Sequence, residues 1–211
     1  MRLRHKPEAR PALLAAPEVV HRPDGWPGKW RLLFFHRPAP LYVELGSGRG
    51  RFLVEAAEAE PGVNFVGVER KAEALYVAWR RVRSAERTNV GFIFDDVDRL
   101  NAYFHPGEID RLYFHFSDPW PKRRHAKRRL THPARLGRLV ALLRPGGEVV
   151  FKTDHPNFYA YSREQLLAQG LVPLEERTVV GGPIRGPVTD YEARFLLAGR
   201  PIYAGVFRRD G

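Results

Sequence analysis

The chain of 211 residues has no cysteine and a single methionine. The first absence excludes disulfides, thiolate zinc centres and cysteine nucleophiles, and it fits a reducing compartment. Long apolar runs are also missing, and none approaches the ~20 residues that a membrane-spanning helix needs. The basic start, Met1-Arg2-Leu3-Arg4-His5-Lys6, looks like the opening of a signal peptide. The stretch that follows, Ala12-Leu13-Leu14-Ala15-Ala16, lies between Pro11 and Pro17 and is shorter than the ~7–15 apolar residues of a signal core. The chain therefore reads as cytoplasmic. Acidic side chains are scarce beside basic ones, 24 against 35, for a net charge of +11. A field of that sign concentrates polyanions, which puts nucleic acid or an anionic membrane surface first among partners. An arginine-rich habit of composition accounts for the same excess, so the motifs must decide. With 44% hydrophobic and 28% charged residues, wholesale disorder is excluded.

What is present begins with proline. Pro7, Pro11, Pro17, Pro23, Pro27, Pro38 and Pro40 punctuate the first forty residues, and each biases the residue before it away from helix. This predicts an irregular Pro/Arg-rich arm over residues 1–40, followed by a single domain over 41–211. Short apolar strands are expected at Leu41–Leu45, Asn64–Val68, Val90–Phe94, Arg111–Phe116 and Glu148–Lys152. Helical spacing is carried by Phe52, Leu53, Ala56 and Ala57, and it recurs over Lys71–Glu86, Ala134–Leu143 and Phe158–Gln169. Arg144-Pro145-Gly146-Gly147 reads as a stop with turn chemistry. Strands alternating with helices specify an α/β fold with a mostly parallel sheet. Two final strands, Leu171–Val180 and Pro201–Arg208, flank the loop Gly181-Gly182-Pro183-Ile184-Arg185-Gly186-Pro187 and form an antiparallel edge.

The first strand runs into Glu44-Leu45-Gly46-Ser47-Gly48-Arg49-Gly50. Glycines at such a turn let the backbone approach a ligand, and the following helix start supplies amide donors. The third glycine sits one place early for a dinucleotide fingerprint, and Glu44 is ill placed beside a pyrophosphate. Glu69 ends the second strand, where an acid reaches ribose hydroxyls in doubly wound sheets. Asp95-Asp96 ends the third, positioned for an adenine edge. Ordered acids around a glycine loop suit a nucleoside that carries positive charge. S-adenosylmethionine, with its sulfonium and ammonium groups, fits better than NAD.

The fourth strand leads into His115-Phe116-Ser117-Asp118-Pro119-Trp120-Pro121, and then into six Lys/Arg within the eight positions Lys122 to Arg129. Ligands bind at the carboxyl ends of strands in open α/β sheets, so this basic run is placed to hold RNA or DNA phosphates. Trp120 either packs as a lid or stacks on a base. His115, His125, His132 and His155 take surface or packing roles, because nothing in the expected chemistry asks for a histidine.

Ser117-Asp118-Pro119-Trp120-Pro121-Lys122, with Arg124-His125-Ala126-Lys127-Arg128-Arg129-Leu130, resembles the signature of the bacterial tRNA (guanine-N7-)-methyltransferase family. Glu44-Leu45-Gly46-Ser47-Gly48, Val66-Gly67-Val68-Glu69, Phe151-Lys152-Thr153-Asp154, Thr189-Asp190-Tyr191-Glu192 and Gly199-Arg200-Pro201-Ile202-Tyr203 are similar as well. So is the opening Met1 to Pro7, and the resemblance spans essentially the whole chain. It implies a Rossmann-like methyltransferase fold with a seven-stranded, mostly parallel sheet and an antiparallel C-terminal edge. It also implies S-adenosylmethionine as cofactor, with contacts at Glu44, Gly46, Ser47, Gly48, Glu69, Asp96 and Asp118, and no metal. Asp96 is preferred to Asp95 because it lies seven residues past Asn89, as in the family pattern. The implied partner is tRNA, with substrate contacts at Lys122, Arg124, Lys127, Arg128, Arg129, Asp154, Thr189, Asp190, Tyr191 and Glu192. The implied reaction is methyl transfer to N7 of a variable-loop guanine (tRNA nucleotide 46), with Asp118 as the catalytic group.

Guanine N7 carries a free lone pair and needs no deprotonation before attack. Asp118 is then expected to accept hydrogen bonds from the guanine and to stabilise the charge that develops on it. Two alternatives stay open on sequence grounds: a methyltransferase acting on another RNA or on a protein, and a non-catalytic RNA-binding protein. No apolar stripe selects between a monomer and a homodimer.

Overall fold

The computed structural model describes residues 5–179 and 186–210. The opening Met1–Arg4, most of the loop between the last two expected strands, Val180 and Gly211 lie outside the described residues. The chain divides into two compact units, residues 1–105 and 106–211.

In the first unit, four parallel strands stand in the order β1-β4-β3-β2, made by Val19–Val20 (β1), Leu41–Leu45 (β2), Asn64–Val68 (β3) and Val90–Ile93 (β4). β3 and β4 are buried along their whole length, the pattern expected of strands covered on both faces. Helix α2 (Arg51–Ala59) buries Phe52, Leu53, Ala56 and Ala57 at the spacing read from sequence. Helix α3 (Ala72–Ser84) buries Ala74, Leu75, Ala78 and Val82, and leaves Ala72, Tyr76 and Trp79, which the sequence pattern put on the apolar face, only half-buried.

The proline-rich segment is more ordered than expected. Ala9–Ala15 forms a helix, α1, in which Pro11 falls within the first turn, where a missing N–H costs no helical bond. Trp30–Phe34 makes a π-helical turn. Trp30 is fully buried; its indole donates to the Tyr103 carbonyl at 2.8 Å, and its ring stacks on Phe104 at 5.2 Å.

The second unit carries β5 (Ile109–His115), β6 (Leu143–Thr153), β7 (Leu171–Val179) and β8 (Ile202–Arg209) in the order β5-β6-β8-β7. β5 and β6 are parallel, whereas β8 runs antiparallel to both of its neighbours. Helices α4 (Pro133–Leu142), α5 (Pro156–Ala168) and α6 (Asp190–Leu197) complete it. The fold is thus α/β and mostly parallel with an antiparallel C-terminal edge. The described residues contain eight strands instead of seven, because Val19–Val20 adds a short one. Helix α4 does end where Arg144-Pro145-Gly146-Gly147 signals a stop, but that segment is not a separate turn ahead of a later strand. It lies inside β6 as an irregularity, where the register on β5 shifts between Ile109 and Arg111. Among the described residues no helix is long and apolar enough to cross a membrane, and no group of three or more His, Asp or Glu is placed to hold a metal.

Candidate active site

In the first unit, the carboxyl ends of β2, β3 and β4 form one edge. Glu44 is buried at the end of β2. Beyond it the chain turns through Gly46, at φ 76°, whose amide donates to the Val68 carbonyl at 2.8 Å. A side chain at Gly46 would meet nothing within 4 Å, so the loop borders open space. Gly50 serves packing instead: at φ 72° it caps α2, and a Cβ there would sit 2.7 Å from the Ala78 Cβ on α3. Ser47 is buried, and its hydroxyl has no hydrogen-bond partner among the described residues.

The Glu69 carboxylate follows β3 and accepts the backbone N–H of Gly48 at 3.2 Å and of Lys71 at 2.8 Å. Burial pushes its pKa above the ordinary 4.5, outweighing these donors. Four lone-pair sites on a carboxylate leave Glu69 capacity for further donors. After β4, Asp95 is committed to Tyr103 Oη at 2.7 Å and to Arg99 at 2.9 Å. Asp96 is the more exposed of the pair; it accepts the Asp98 N–H at 3.0 Å and pairs with Arg70 at 2.9 Å. The structure therefore brings Glu44, Gly46, Ser47, Gly48, Glu69 and Asp96 to a single edge. An open cradle, a buried hydroxyl without a partner and an acceptor-rich carboxylate fit the nucleoside end of S-adenosylmethionine.

In the second unit, Asp118 is exposed on the loop after β5. Two residues before it, Phe116 adopts φ 50°, its amide donates to the Lys152 carbonyl at 2.8 Å, and its ring lies 6.1 Å from Tyr191 and 5.7 Å from Phe195. The Thr189–Glu192 segment thereby packs beside the Asp118 loop. Thr189 caps α6 by accepting the Glu192 N–H at 3.0 Å, and Glu192 is buried against Lys152. Tyr191 is exposed, with Arg194 4.8 Å over its ring. Asp154 follows β6 and pairs with Arg200 at 3.1 Å. Lys122, Arg124, Lys127 and Arg128 are exposed, with Arg128 4.9 Å over the half-buried Trp120 ring. Arg129 differs: it is half-buried and turned onto the backbone.

Sequence reasoning missed Lys152. The signal was a lysine inside an apolar run, Val149-Val150-Phe151-Lys152-Thr153, because a lysine fully buried in a strand requires a partner. His115 is also buried. Desolvation, and then the Lys152 charge, hold its pKa well below the ordinary 6.5.

The fold is similar to that of the antibiotic-resistance methyltransferase Kmr (TM-score 0.59, 22% identity, 87% of this chain and 91% of that one). It is likewise similar to that of the aminoglycoside resistance methyltransferase NpmB1 (TM-score 0.58, 18% identity, 86% of this chain and 91% of that one). This is the Rossmann-like fold of S-adenosylmethionine-dependent methyltransferases. A family model described as "Putative methyltransferase" matches residues 38–205. The chain is 39% identical to the tRNA (guanine-N(7)-)-methyltransferase of Halalkalibacterium halodurans, over 96% of this chain and 93% of that protein. It is 35% identical to the one of Bacillus subtilis, over 96% of each. The chain belongs to the tRNA (guanine-N7-)-methyltransferase family.

Proposed function

We infer that the protein transfers a methyl group from S-adenosylmethionine to N7 of a guanine in tRNA, in the cytoplasm. The observation that carries this reading is identity of 39% along nearly the whole of both chains with a tRNA (guanine-N(7)-)-methyltransferase. The acceptor is the variable-loop guanine, tRNA nucleotide 46.

Bound S-adenosylmethionine would supply a methyl on a cationic sulfur, the carbon–sulfur bond breaking to leave S-adenosylhomocysteine as the free lone pair of guanine N7 takes the methyl. Glu69 accepts the ribose hydroxyls, Asp96 the adenine edge, and Glu44 offsets positive charge on the methionine moiety. Gly46 and Gly48 admit the ligand against the backbone, and Ser47 offers its unpartnered hydroxyl. Asp118 accepts hydrogen bonds from the guanine and stabilises the positive charge that develops there. No general base is required, so alignment and electrostatics supply the acceleration. Lys122, Arg124, Lys127 and Arg128 meet phosphates, while Asp154 and the Thr189–Glu192 segment border the acceptor nucleotide.

The test is methyl transfer from labelled S-adenosylmethionine to an unmodified tRNA transcript, followed by nucleoside digestion and chromatography. Label in 7-methylguanosine, mapped to the variable loop, is the expected outcome. Label in another nucleoside overturns the substrate assignment, and tRNA binding without transfer overturns the catalytic one.

A further inference from the structure

Arg129 lies in the basic run, yet its geometry is not that of a phosphate contact. Its Nε donates to the Pro119 carbonyl at 3.0 Å and its Nη2 to the Trp120 carbonyl at 3.2 Å. The guanidinium plane is further held 4.4 Å over the Tyr161 ring and 5.9 Å from Phe158. Behind it stands a second arginine. Arg135, in the first turn of α4, donates from Nη1 to the carbonyls of Arg128 and Arg129, each at 2.9 Å. Two guanidinium groups in series thus tie α4 to the end of the basic turn, and that turn to the backbone directly after Asp118.

The backbone they hold is not a relaxed one. Phe116 at φ 50° and Trp120 at φ 40° both occupy the left-handed region, two residues to either side of Asp118. Bulky side chains persist there only where their surroundings impose it. On the Phe116 side the imposition comes from Tyr191, Phe195 and the bond to the Lys152 carbonyl. On the Trp120 side it comes from Arg129 on the carbonyl, Arg128 over the ring, and His125 edge-on at 5.7 Å.

We propose that Arg129 is a positioning residue for Asp118, and that its planar fork across two successive carbonyls sets the direction in which that carboxylate is presented. The proposal rests on the reading of Asp118 as the group that meets the guanine. A lysine keeps the charge but is a point donor on a flexible stem, and cannot reproduce the fork.

The test compares Arg129→Lys and Arg129→Ala with Asp118→Ala in the full-length protein, each assayed well below its own melting temperature. Steady-state methylation of a tRNA transcript is measured together with the affinity, stoichiometry and salt dependence of tRNA binding. For Arg129→Lys, kcat falls roughly 10- to 100-fold, the loss expected when a reacting group is misplaced by about an ångström. Its KM for tRNA, binding stoichiometry and salt slope stay at the wild-type values. Unchanged stoichiometry separates this result from a loss of folded protein. Wild-type kcat in Arg129→Lys, with Asp118→Ala inactive, overturns the positioning role. A weaker tRNA affinity and shallower salt slope in Arg129→Ala, at undiminished kcat, makes Arg129 a phosphate contact and overturns it as well. Wild-type turnover by Asp118→Ala instead overturns the reading on which the proposal stands, through a separate variant.

Discussion

Lys152 and Glu192 form a buried ion pair, with Nζ 3.1 Å from Oε2 and 3.3 Å from Oε1, and with side-chain exposures of 0% and 2%. The same carboxylate closes the capping box of α6 by accepting the Thr189 N–H at 3.3 Å. One side chain therefore fixes the Thr189–Tyr191 turn to β6, the strand that leads into Asp154. What this segment turns outward is Tyr191, while Glu192 holds the segment in place.

Glu192→Gln leaves a buried ammonium without its counter-charge. The expected loss is about 3–5 kcal/mol of unfolding free energy, measured by urea denaturation. Replacing both partners, as Lys152→Met with Glu192→Leu, restores most of it, because neither charge is then stranded. A single-variant loss under about 1 kcal/mol contradicts the pairing as an energetic unit.

His115 predicts an acid limit to stability. Its folded pKa lies below the ordinary 6.5, so between those values the unfolded chain takes up a proton that the folded one refuses. The contribution is fully present above pH 6.5 and is lost as pH falls through that window. One such proton changes stability by at most about 1.4 kcal/mol per pH unit. His115→Gln should flatten this limb of a melting-temperature profile, and an unaltered limb would assign it to other groups.

Glu69 shifts the opposite way. Burial raises its pKa above 4.5, so the carboxylate protonates at a higher pH than an ordinary glutamate. Its protonated form is a poorer acceptor for ribose hydroxyls. S-adenosylmethionine affinity, followed by calorimetry, should therefore weaken on acidification before the ordinary glutamate range is reached. Glu69→Gln should bind roughly 10- to 100-fold more weakly, as for loss of a charged hydrogen-bond acceptor, and without that pH dependence. Wild-type affinity in this variant would remove Glu69 from the cofactor site.

Gly50→Ala combines a left-handed φ of 72° with a Cβ placed 2.7 Å from the Ala78 Cβ and 2.9 Å from its Cα. The conformational term alone is about 1–2 kcal/mol, and the backbone clash adds to it. Gly46→Ala shares the positive φ but meets open space, so it should be the less destabilised of the two in thermal melts. The reverse order would show that the contact between α2 and α3 is compliant.

Neutralising the exposed cations should act on tRNA binding. Arg124→Gln and Lys127→Gln are each expected to reduce the salt slope of affinity by about 1, with kcat at saturating tRNA little changed. A slope equal to wild type would make these side chains a solvated face.

The strands Leu41–Leu45, Asn64–Val68 and Val90–Ile93 and the helices after the first two of them were legible, because short apolar runs and a 3.6-residue period are local signals. α1 was hidden by Pro11, which argues against helix unless the first turn is placed around it. α6 was hidden for a different reason. It spans only eight residues; its Thr189-x-x-Glu192 capping box is a local signal that went unread, whereas the buried pair of Glu192 with Lys152 is a tertiary fact. The acids Glu44, Glu69 and Asp96 could be ordered from sequence because each ends a parallel strand, and the ends of adjacent parallel strands share an edge.

By itself, the sequence determined the α/β class, the glycine turn with its acids, and the family motifs, since all of these are written in spacing along the chain. The tertiary structure decided how the charges are used. Six cations in eight positions are alike in sequence, yet Arg129 folds back ten residues onto Pro119 while Arg124 and Lys127 face solvent. Lys152 and Glu192 lie forty residues apart and meet only when α6 packs against β6. Spacing encodes faces and turns, whereas the partner of a charge depends on which side chains burial brings within hydrogen-bonding distance.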